Sequence, residues 1–191
     1  MTEFFVLDWD QRETIVGHVQ DSNRRTLANK YVRGFMLAKD DLPTDLSVQV
    51  EVGPDRYPDY FTLQQTPVVS ARFVAALKSA GVDNFELFPA PIVEAERTIS
   101  GHSVMNIIGR VSCLDETRTV GTKVDPDDEV LFRIKKLAID GSRAGHLDLF
   151  RINEFELIIL VSTPVRDRLL SQALDGVSLQ PAEGWSDSVW F

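Results

Sequence analysis

The side chains of this 191-residue chain whose types could do chemistry are few: three histidines, one cysteine, and two serines that follow apolar strands. His18, His102 and His146 show neither HxH nor HxxxH spacing, so a metal site would need assembly from distant segments. His102 follows Gly101 and His146 follows Gly145, which predicts solvated rings in turns. Cys113 lies in the apolar run VSCL, where a thiol acts as a small buried hydrophobe. Ser70 and Ser162 superficially resemble nucleophile elbows, but neither sits in GxSxG, and a helix N-cap is a sufficient role for each. Neither GxGxxG nor GxxxxGKS/T occurs, and Gly141 to Gly145 (GSRAG) lacks a convincing following helix. We therefore expect no catalytic residue, no metal and no cofactor.

Carboxylates are too numerous for counting to identify an acid/base pair, but their clustering suggests another use. One set comprises Asp115, Glu116, Asp125, Asp127, Asp128 and Glu129; a second comprises Asp40, Asp41, Asp45, Glu51, Asp55 and Asp59. Such runs ordinarily form solvated loops, and their functional alternative is steering toward a basic surface. The first set is the candidate partner-binding patch. A net charge of −9 repels nucleic-acid phosphates and favours a basic protein partner. Met1 to Gln11 lacks the basic start and long apolar stretch of a secretory signal, no apolar run approaches membrane-spanning length, and one cysteine suits a reducing compartment. The expectation is a cytoplasmic protein that binds neither membrane nor nucleic acid.

The elements that must position these residues begin with a strand over Phe4 to Trp9. Asp10 to Lys30 carries no firm signal, and the Pro-rich stretch from Asp40 to Pro67 predicts connections around one short strand at Ser47 to Val52. Val68-Val69, the cap Ser70, a helix over Ala71 to Ala80, and a strand before Pro89 make a strand-helix-strand unit. The design returns at Leu157 to Val161, Ser162 and Pro164, with Val165, Leu169 and Ala173 as the expected buried face. Shifted by 92 residues without gaps, Val69, Ser70, Leu77, Ser79, Asp83, Leu87, Pro89 and Ala90 match Val161, Ser162, Leu169, Ser171, Asp175, Leu179, Pro181 and Ala182. We read an internal duplication, with units at 67–91 and 159–183.

Between the units, Val104 to Leu114, Glu129 to Asp140 and His146 to Ile152 predict strands, with a bulge near Lys135-Lys136 and a hairpin turn at Asn153-Glu154. Trp185, Trp190 and Phe191 suit either a contact patch or a tail docked into the core. The fold class is α+β, mainly antiparallel or mixed sheet. Residues 1–66 form a strand and loop-rich segment packed on a 67–191 core, within one compact domain.

Pro67 to Phe73 (PVVSARF), Gly81 to Pro89 (GVDNFELFP), Asn106 to Asp115 (NIIGRVSCLD), and Leu149 to Ile152 followed by Ile158 to Ser162 together resemble a bacterial immunity-protein family. That family was defined from a myxobacterial protein, formerly a domain of unknown function, and is associated with polymorphic toxin systems. The resemblance covers Thr66 to Leu179 and departs after it, where Gln180 to Glu183 replaces an aromatic ending. It implies a non-catalytic protein that binds and neutralises a cognate toxin, with no catalytic residues to carry over. The alternative from the residues is a small-molecule binder or enzyme with a pocket between the two similar units. A pocket uniting His102 or His146 with Cys113 and carboxylates would favour it; a filled apolar junction would not. Oligomeric state is open.

Overall fold

The computed structural model describes residues 3–23, 30–123 and 131–187. The N-terminal half contains β1 (Phe4–Trp9), β2 (Val16–Gln20), β3 (Ser47–Val52), β4 (Tyr60–Leu63), β5 (Thr66–Ser70), α1 (Ala71–Ser79) and β6 (Phe85–Pro89). There follow β7 (Ile92–Glu94), β8 (Arg97–Ile99), β9 (His102–Ile107), β10 (Arg110–Val111), β11 (Val120–Lys123) and β12 (Leu131–Lys136). The chain closes with β13 (Leu149–Ile152), β14 (Phe155–Ser162), α2 (Thr163–Ser171) and β15 (Val177–Pro181). The fold is α+β and mostly sheet, as the sequence predicts.

One sheet has the order β10-β13-β14-β1-β15 and another the order β4-β5-β9-β6; a third joins β2-β3-β7-β8, and β11-β12 form a ribbon. β1 thus lies between two C-terminal strands, so the N-terminal segment and the C-terminal region share a sheet. Continuous apolar runs let central strands serve two cores, because successive side chains point to opposite faces. In β1, Phe4 and Val6 enter one cluster with Leu137, Phe150 and Trp185, while Phe5 and Leu7 enter another with Phe73, Leu77 and Leu169. A third cluster, around Val48, Phe61 and Val104, lies beneath the β2-β3-β7-β8 sheet.

The two strand-helix-strand segments are matched in their pairing as well as their sequence. Each clasps a central antiparallel strand: β5 and β6 flank β9, while β14 and β15 flank β1. Val68 opposes Val104 as Leu160 opposes Val6; Leu87 opposes Met105 as Leu179 opposes Leu7; Pro89 opposes Ser103 as Pro181 opposes Phe5. Each unit also begins with a hairpin, β4-β5 or β13-β14, which closes on Leu63↔Thr66 or Ile152↔Phe155. The helices meet where Arg168 Nε of α2 donates to Ser79 Oγ at 2.6 Å and Arg72 of α1 reaches the Gln172 carbonyl at 3.1 Å.

Local chemistry explains both agreement and departure. Ser70 accepts the Phe73 amide at 3.2 Å and caps α1, whereas Ser162 makes no side-chain cap bond and its buried hydroxyl has no partner among the described residues. Pro164 supplies the preset first turn that Ser162 does not secure. The second helix stops at Ser171, so the expected buried Ala173 is exposed, in a turn at φ 44°. The bulge near Lys135 is present: Val120 pairs with Lys136 and Gly121 with Ile134. The hairpin turn at Asn153-Glu154 is also present, and Trp185 is buried in the core. Trp190 and Phe191 lie outside the described residues. Strands β2, β4, β7, β8 and β11 carried too little alternation to be foreseen. None of the helices is long and apolar enough to cross a membrane.

Candidate functional site

Of the proposed acidic patch, Asp115 and Glu116 can be placed; Asp125, Asp127, Asp128 and Glu129 lie outside the described residues. Asp115 follows an isolated bridge between Leu114 and Ile139 and organises its own turn. One carboxylate oxygen accepts from the Thr117 amide and hydroxyl and from the Arg118 amide, while the other accepts Arg118 Nε at 2.7 Å. These bonds, led by the Arg118 guanidinium and the Thr117 hydroxyl, hold the carboxyl down at about 2. Arg118 also pairs with Glu183 at 2.9 Å. Asp115 is therefore ionised yet internally committed, whereas Glu116 is exposed beside it. Asp140 and Arg143 build a neighbouring turn in the same shallow cleft, which presents both charge signs.

Asp59, expected as part of a solvated acidic loop, is buried instead. Its Oδ1 accepts the Ser70 hydroxyl at 2.6 Å, and its Oδ2 accepts Arg72 at 2.8 Å and the Asp175 amide at 3.0 Å. Burial of a carboxylate requires such compensation, and these bonds join the first unit to the loop after α2. Sequence separations of 11 to 116 residues hide this role from local patterning.

Ser70, Asp59 and His102 line a single cleft, so nucleophilic catalysis must be weighed on geometry. The serine proton points to Asp59, and the serine oxygen accepts the capping amide. A general base should take that proton, yet the histidine ring directs Nε2 to the Pro58 carbonyl at 3.2 Å. His102 opens β9 and packs against Tyr57 and Phe61, which corrects the solvated-turn expectation. Burial lowers its pKa, favouring the neutral ring. His146 is exposed in a turn, as expected. Cys113 is fully buried and desolvation pushes its thiol up to about 12, a poor setting for a thiolate. Among the described residues, no group of three or more His, Cys, Asp or Glu side chains could hold a metal ion.

The two units also border a cavity of about 600 Å³, lined by β1, β4 and β14 with Arg133, Trp185 and Asp187. Its walls are mainly apolar, and it contains neither the histidines nor Cys113. On the helix side, by contrast, the junction between units is filled by Phe73, Leu77, Val165 and Leu169. The combination of His, Cys and carboxylates expected of an enzyme pocket is not assembled there.

A family model described as "Immunity protein family (Imm11)" matches residues 3–184. Comparison with curated proteins returned no match. The matched span takes in the N-terminal third, which the motifs starting at Thr66 did not reach, and the structural reason is visible: β1 completes the second unit's sheet.

Proposed function

Because the chain belongs to the Imm11 immunity protein family, we propose that it binds and neutralises a cognate bacterial toxin by protein-protein contact, without catalysis of its own. The family match across residues 3–184 carries this reading. Three features support it: the net charge of −9, the hydrogen-bonding of Ser70 away from a histidine base, and the desolvated Cys113. The matched strand registers likewise support an internal duplication, which supplies the scaffold instead of an active site.

The proposed interface is the acidic patch of Asp115, Glu116, Asp125, Asp127, Asp128 and Glu129, facing a basic surface of the toxin in the cytoplasm. Within it, Glu116 supplies attraction, whereas Asp115 shapes the turn that presents it. Opposed charges of this kind steer association more than they add affinity. The reading is tested by co-expressing the chain with the toxin encoded beside it. Growth is expected to be restored by the chain and lost again with a charge-neutralised patch. Cells that die equally with and without the chain would reject the reading.

A further inference from the structure

The second unit departs from the first at its hairpin, and a cavity opens there. In the first hairpin, Thr62↔Pro67 and Leu63↔Thr66 pair without interruption. In the second, the register jumps from Arg151↔Ile159 to Ile152↔Phe155, leaving Glu156, Leu157 and Ile158 without partners in β13. β1 leaves β14 at the same level: their pairing ends at Leu7↔Ile159, and Asp8 continues against β15 alone. The position matching Asp8 in the first unit is Asn106, whose amide is consumed by the Phe35 carbonyl at 2.8 Å and Glu86 at 2.9 Å. Among the described residues, Asp8 accepts only the adjacent Trp9 amide, at 2.6 Å, and it lines the cavity.

Tyr60 lines it too, fully buried, with a hydroxyl that has no hydrogen-bond partner among the described residues. The walls are Leu7, Phe155, Leu157 and Ile159. Arg133 and Asp187 at 3.5 Å offset each other, and no cation forms an ion pair with Asp8 among the described residues. A volume of about 600 Å³ falls in the range of small-molecule pockets. From this geometry we propose that the cavity is a binding site for a small organic cation. The ligand's apolar body lies on the β14 bulge, and its ammonium group is held by the Asp8 carboxylate and the Tyr60 hydroxyl. Burial lifts the Asp8 carboxyl to about 7.

The probes are 4-phenylbutylamine, 4-phenylbutanol and 4-phenylbutyrate, titrated into the full chain at pH 7.5 and followed by NMR shifts and calorimetry. The amine is expected to bind about tenfold or more tightly than the alcohol, as a charge-assisted hydrogen bond requires, with the acid weakest. Asp8→Asn should erase the preference for the amine over the alcohol. Leu157→Trp, at a half-exposed wall, should weaken all three. The groups facing Asp8 are Tyr60 from β4, Arg133 from β12 and Asp187 after β15, with Arg151 of β13 interacting with Tyr60. Burial brings the Asp8 carboxyl to about 7, so amine affinity should rise from pH 6 to 8 while alcohol affinity stays flat. Should Asp8→Asn fail to fold, as judged by near-ultraviolet circular dichroism, Leu157→Trp and the pH series decide. Equal binding of amine and alcohol, no binding of any probe, or a preference that survives Asp8→Asn would each overturn the proposal.

Discussion

At Asp59 one buried carboxylate holds a strand-end serine, a helix arginine and a backbone amide from the other unit. Asp59→Ala takes the acceptor from the Ser70 hydroxyl and the Asp175 amide and one of the acceptors of Arg72, and should cost about 3 kcal/mol in urea unfolding, whereas Asp175→Ala, whose 3.7 Å pair with Arg56 is solvent-exposed, should stay within about 0.5 kcal/mol. The paired serines should also differ. Ser70→Ala removes a cap and a bond to Asp59 and should cost about 1–2 kcal/mol, while Ser162→Ala deletes a buried hydroxyl with no partner and should be neutral or stabilising. Asp8 gives a pH signature. Its folded pKa lies near 7, above the ordinary 3.8, so the native state binds the extra proton between those values. Wild-type stability relative to Asp8→Asn should therefore fall as pH rises through that window, by no more than about 1.4 kcal/mol per pH unit, and be flat above it. A difference curve that rose with pH would contradict the assignment.

Elements carry the next level of constraint. Gly176 joins α2 to β15 at φ 82°, and a Cβ there would stand 2.1 Å from the Tyr60 carbonyl. Its own carbonyl accepts the Asp10 amide, and the Asp175 carbonyl accepts the amides of Asp59 and Tyr60, so this loop seats the second unit on the first. Gly176→Ala should lose at least about 2 kcal/mol, because the left-handed backbone and the clash add, while Gly184→Ala, with open space at the Cβ, should lose about 1 kcal/mol. The strand-helix-strand units were legible because Val-Ser, a helical stripe and Leu-x-Pro are local signals repeated at constant spacing. The clasping of β1 and β9 was not, since pairing between strands distant in sequence leaves no local mark. The same reason hid Asp59, an acidic residue in a Pro-rich stretch, and the cavity, which comes from a break in strand pairing at Glu156, Leu157 and Ile158.

At the scale of the molecule, three apolar clusters and two matched units make a sheet-rich body, and its candidate interface is a surface property that the core does not define. The sequence made the acidic bias legible but did not distinguish Asp115, which serves its own turn, from Glu116, which faces solvent. Complex formation should weaken with added salt, because exposed charges beyond a Debye length of about 10 Å at 0.1 M are screened. Neutralising Glu116 together with Asp125, Asp127, Asp128 and Glu129 should flatten that dependence, and an unchanged salt slope would move the interface elsewhere. The most direct test of neutralisation by binding is a calorimetric titration of the purified toxin domain with this chain, the toxin's activity being assayed at each point. The expected result is a saturable heat with activity falling to zero at the same equivalence point. Full activity at saturating chain, or no heat at all, would contradict the account.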